Sequence, residues 1–165
     1  MFNVGDKVVY PMYGAGVIES IEEKEILGEI RKYYVMRMPV GDMKVMIPIG
    51  NVQNIGLRDV VDECLINNVM DNMCTEEAEA SINWNQRYRA NMDKVKSGDI
   101  FKVAEVVRSL MLREIEKGLS TGERKMLENA KQILVSEFVL VKGIDEVEAM
   151  GIITELIEKN KNASV

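Results

Sequence analysis

The stretch KVMIPIGNVQNIGLRDVVDECLINNVMDNM, residues 44–73, decides the fold. Its opening, KVMIPI, is β-branched and apolar and reads as a strand. Pro48 near its end cannot donate to a ladder, which predicts an edge position. Residues 51–55 read as a connector. From Arg58 the period changes: Val60, Val61, Leu65, Val69 and Met73 fall mostly at helical spacing. A chain that is β before this stretch and helical after it belongs to the α+β class.

Upstream, KVVY at residues 7–10 is a short strand, and residues 11–16 form a turn with two glycines able to take positive φ. Residues 16–26 alternate apolar and polar side chains, residues 27–29 reverse the chain, and IRKYYVMRM at residues 30–38 is a strand. Roughly four or five short strands predict a small twisted sheet or partly closed barrel. The methionines at 36, 38, 43 and 46 either fill its core or form an adaptable contact face. Downstream, the acidic run at residues 74–81 reads as a linker or helix start. Asn83 with Gln86, Asp99, and Ser120 with Glu123 are helix-start signals, while Gly98, Gly118 and Gly143 are stops. The expected architecture is a β-module over 1–55 and a compact bundle of about five α-helices over 56–165.

Composition narrows the function. The 165 residues are 47% hydrophobic and 29% charged, enough for a packed core in one domain or two small ones. No apolar run approaches the ~18 residues of a membrane span. The start MFNVGDKVVY, with Asp6 ahead of any sizeable apolar run, does not read as a secretory signal. Without histidine or a CxxC pair, a Cys/His zinc site is excluded; Cys64 and Cys74 are expected to be reduced, half-buried thiols of a cytoplasmic protein. There is no phosphate-binding loop, no dinucleotide fingerprint and no nucleophile elbow. The expectation is a non-enzymatic protein with no cofactor, metal or small-molecule substrate.

The net charge of −6 argues against a uniformly basic nucleic-acid binder, but the charge is uneven. Residues 83–136 are net +4, against −1 over 1–57, −6 over 58–82 and −3 over 137–165. That positive segment holds the single tryptophan, Trp84, with Arg87 and Arg89, and later the pair Arg124 and Lys125. A flat ring beside guanidinium groups and a helix N-terminus can press on a base while holding phosphates. Periodicity favours another role: Trp84, Tyr88, Met92 and Val95 form one helical stripe, which makes Trp84 a core anchor. Likewise Arg124 and Lys125 are either a second phosphate clamp or a solvated face.

Three blocks carry a family resemblance: VGDKVVYPMYGAGVIESIE at residues 4–22, NWNQRYRANMDKVKSGDIFKVAEVVRSL at 83–110 and GLSTGERKMLENAKQIL at 118–134. Together they resemble the CarD/CdnL-type bacterial transcription regulators; the first is shared with the polymerase-interaction module of the transcription–repair coupling helicase. The resemblance implies a Tudor-like N-terminal module that docks on the β subunit of RNA polymerase, with Lys24, Met46, Ile47 and Pro48 in the contact. Met46 departs from an arginine found in some members. It also implies that the helical domain meets promoter DNA at the upstream fork of the −10 region. There Trp84 wedges into the minor groove and stabilises the open complex, with Arg87, Arg89, Arg124 and Lys125 on the backbone. The protein would sit in the cytoplasm, on the nucleoid through polymerase. The alternative is a protein–protein adaptor of the transcription machinery that never touches DNA.

Overall fold

The computed structural model describes residues 2–73 and 83–163, with residues 160–163 as backbone only. The acidic run and Cys74 lie outside the described residues. Strands β1 (Lys7–Tyr10), β2 (Gly14–Ile26), β3 (Glu29–Met38) and β4 (Met43–Pro48) are followed by a short 3-10 turn, Ile49–Asn51, and a single helical turn, α1 (Val52–Ile55). A two-residue strand, β5 (Arg58–Asp59), precedes the helices α2 (Glu63–Met73), α3 (Trp84–Lys96), α4 (Ile100–Glu116), α5 (Thr121–Lys142) and α6 (Glu146–Ala163). The class is α+β, a small antiparallel sheet followed by a helical bundle.

The sheet order is β4-β3-β2-β1-β5, so β4 is an edge strand, as Pro48 predicted. A bulge between Ile18 and Ser20 shifts the register of β2 on β3. One extra residue inverts the alternation, which puts Ile18 opposite Met36 and Ile21 opposite Tyr34 on the same face. That face is the module's core: Val8, Ile18, Tyr34, Met36, Met38 and Ile47 are buried there. Met36 and Met38 are therefore core filler, whereas Met43 remains half exposed.

Two expectations are corrected. The helical pattern read from Arg58 does not begin there: Arg58 and Asp59 pair antiparallel with Val9 and Val8, and the helix starts at Glu63. Arg58 is held in the sheet by contacts far away in sequence, described below. Of the turn glycines, Gly14 takes positive φ but Gly16 does not; a Cβ on Gly16 would stand 2.6 Å from the Arg37 carbonyl oxygen, so Gly16 provides room rather than φ.

The bundle has its own core, centred on α4 and α5 with Val106, Val107, Leu110, Leu134 and Phe138 fully enclosed. The predicted caps form. Asn83 accepts from the Gln86 N–H, Asp99 from Phe101 and Ser120 from Glu123. Met12 and Val40, from the β1–β2 and β3–β4 turns, pack against this helical core, so the two modules share an interface along α5. Among the described residues no helix is long and apolar enough to cross a membrane. Cys64 is exposed, not half-buried.

Candidate nucleic-acid interface

The cap residues bring the first turns of α3 and α5 together. Trp84, the first residue of α3, donates its indole N–H to Glu123 Oε1 at 3.1 Å and to Ser120 Oγ at 3.3 Å. Its ring stacks on Tyr88, one turn later, with centroids 5.1 Å apart and planes 20° apart. Tyr88 in turn lies against Gly122, where a Cβ would sit 3.4 Å from the phenol ring. Trp84 remains 43% exposed. It is thus no core anchor. Periodicity misplaced it because a stripe that ends at the first turn runs past the edge of the bundle. One ring face and the N–H edge are held by protein, and much of the rest of the ring meets solvent.

The basic residues divide. Arg87 Nε donates to Glu123 Oε2 at 3.1 Å, and its side chain is only 13% exposed. Arg87 thus braces the site and presents little of its guanidinium to the outside. Arg89, Arg124 and Lys125 are exposed and make no ion pair among the described residues. Arg124 and Lys125 directly follow Glu123, so the pair on α5 sits beside the turn that holds Trp84 and Arg87. Both helix N-termini add partial positive charge there.

Glu123 is the hub. Burial pushes its carboxyl up, but the Arg87 hydrogen bond and charge, with the hydrogen bonds from the Ser120 hydroxyl and backbone, outweigh that and hold it below the usual carboxylate range. It stays ionised at neutral pH, which keeps both Trp84 and Arg87 as donors to it. Sequence reasoning saw Glu123 only as a capping-box residue. Nothing in its local sequence sets it apart from an exposed cap: its burial comes from the contacts with Trp84 and Arg87 of α3.

In the β-module, Lys24 is exposed on the outer half of the β2–β3 hairpin. Met46 and Pro48 are half-buried on β4, while the Ile47 side chain is fully enclosed in the sheet core. Ile47 is wholly enclosed, so at this edge the half-buried Met46 and Pro48 are what a partner can reach.

Comparison with known proteins bears on both modules. A family model described as CarD, C-terminal domain matches residues 68–154, and one described as CarD-like/TRCF RID domain matches residues 2–61. A curated relative, "Putative transcription factor YdeB" of Bacillus subtilis (strain 168), is 47% identical over 146 residues, spanning 88% of this chain and 95% of the relative. The chain belongs to the CarD family. This is a family of transcription regulators and not a class of enzymes. Among solved structures, the 72-residue N-terminal domain of Myxococcus xanthus CarD is 37% identical, with a TM-score of 0.32, covering 36% of this chain and 79% of that one. The two CarD family matches meet between residues 61 and 68, just after β5.

Proposed function

We propose that this CarD-family chain is a non-enzymatic regulator of transcription initiation that holds the promoter open complex. The β-module, over 1–55 with β5 completing the sheet, docks on the β subunit of RNA polymerase through the β4 edge and the Lys24 hairpin. The helical domain meets promoter DNA at the upstream fork of the −10 region. There the Trp84 ring enters the minor groove, and Arg89, Arg124 and Lys125 hold backbone phosphates. Arg87 acts mainly from behind, through Glu123.

The observation that carries this reading is the state of Trp84: a large aromatic side chain, exposed on the rim, yet fixed by Tyr88, Glu123 and Ser120. An unstacking wedge gains when its orientation is set before contact, because less rotamer freedom is lost on insertion. Unstacking costs least at a junction that is already opening. A chain of net charge −6 binds free duplex weakly, so docking on polymerase supplies the local concentration.

The test is open-complex lifetime at a slowly melting promoter, with polymerase saturated by wild-type or Trp84→Ala protein. The expected result is a shortened lifetime with polymerase binding retained. The enclosed position of Arg87 favours a second reading, an adaptor that binds polymerase without DNA contact. Permanganate reactivity of the bubble separates the two: a pattern unchanged by the wild-type protein supports the adaptor.

A further inference from the structure

Helix α5 touches both halves of this proposed activity. Its first turn holds Trp84 and Arg87 through Glu123. From Glu123 to Glu137 the axis rises about 21 Å. At that far end α5 is bolted to the β-module. The Glu137 carboxylate accepts from both Arg58 Nη atoms, at 2.9 and 2.8 Å, and from the Val61 N–H at 2.9 Å. Arg58 Nε donates to the Gly98 carbonyl at 2.7 Å, in the turn between α3 and α4. One side chain from β5 therefore grips α5 and the end of the Trp84 helix together. The neighbouring Ser136 hydroxyl accepts from the Ala15 N–H at 2.8 Å, at the start of β2.

A flexible tether would be enough to raise the local concentration of a DNA-binding domain. This connection does more. A bidentate arginine–carboxylate pair fixes the plane of both partners as well as their separation. Glu137 is 2% exposed, and a buried ion pair is seldom a better stabiliser than apolar packing of the same volume. What it adds over apolar packing is geometric specificity.

We infer that Arg58 and Glu137 are a positioning pair that sets the distance and angle of the Trp84 ring relative to the polymerase-docking module. The inference rests on the proposed function, since it needs one module on polymerase and the other at the fork. With the pair broken, both modules keep their own cores and the β-module keeps its docking surface. The ring then samples a range of positions, and the wedge is no longer aimed.

The experiment uses the full chain. Trp84 is the single tryptophan and serves as a native energy-transfer donor. For the distance measurement, made on the free chain, an acceptor dye is placed at Leu27→Cys, a hairpin-tip residue that is 99% exposed, with Cys64→Ser and Cys74→Ser to keep labelling unique; polymerase affinity and lifetime are read on the unlabelled chain. Arg58→Ala is expected to widen the distribution of transfer distances, leave polymerase affinity within about twofold, and shorten open-complex lifetime by about fivefold or more. Arg58→Lys, which keeps charge but loses the fork, is expected to fall between. If Arg58→Ala does not fold, Arg58→Lys and Ser136→Ala carry the same measurement. An unchanged distance distribution, or a widened one with full lifetime, overturns the positioning role. Trp84→Ala is run alongside: if it too leaves lifetime unchanged, the wedge reading itself has failed and takes this inference with it.

Discussion

At Trp84 the difference between a core residue and a presented one is measurable. Its ring is half in solvent and its main apolar partner is Tyr88. Trp84→Ala removes the Tyr88 stack, the covered part of the ring and the donor to Glu123, so it should cost about 2 kcal/mol of stability with the domain still folded, while removing the effect on the open complex. A loss of several kcal/mol in urea unfolding would return Trp84 to the core. Glu123→Gln tests the hub behind it. The variant cannot pair with Arg87, and a loss of about 2 kcal/mol is expected at neutral pH. The pH dependence has a definite sign. The folded carboxyl is held below its ordinary value of 4.5, so its contribution is present above that value and is lost as pH falls through the lowered one. The stability gap between wild type and Glu123→Gln should be constant above pH ~5.5 and close on further acidification; a gap that widens there contradicts the assignment. These residues were only partly legible. Asn83, Asp99 and Ser120 could be read as caps because a cap is a local motif. The partnership of Trp84 with Glu123 spans 39 residues and has no spacing signature.

Among the elements, the β1–β2 turn shows how local sequence and long-range packing divide the work. Pro11 and the two glycines predict the turn, but the reason for Gly14 lies in α5. Gly14 has φ +116°, and a Cβ there would stand 2.7 Å from Ser136 Oγ. Gly14→Ala should destabilise the protein by about 2 kcal/mol or more, through both backbone strain and displacement of Ser136. Combining it with Ser136→Ala should give less than the sum of the two, because they act on the same contact; simple additivity, read from denaturation midpoints, rules that coupling out. Arg58 illustrates the opposite failure of sequence reading. Its neighbours have helical spacing, yet it lies in a strand, because its guanidinium is committed to Glu137, 79 residues away. Propensity and period are local, and a half-buried arginine paired with a buried carboxylate across two modules overrides them.

For the molecule as a whole, the decisive quantity is where the positive charge is free. The net charge is −6, and Arg87 is absorbed by Glu123, so the exposed cations the proposed function assigns to DNA are three: Arg89, Arg124 and Lys125. Each phosphate neutralised adds about −0.9 to the slope of log affinity against log salt. Three contacts give a slope of about −3, too shallow to hold free duplex tightly at physiological salt. The isolated chain should bind a short promoter duplex no more tightly than about 10⁻⁴ M. On polymerase the same contacts act at high local concentration and become visible as a difference. Retention of fork-junction DNA is measured across a salt series, with and without the chain. The chain should steepen the slope by about 3, and Arg124→Gln should take back about 1 of that. Trp84→Ala should lower retention at every salt concentration and leave the slope in place, since an apolar wedge releases no counterions. If the chain does not alter the slope while Trp84→Ala still shortens open-complex lifetime, the three cations are not phosphate contacts and the wedge acts alone.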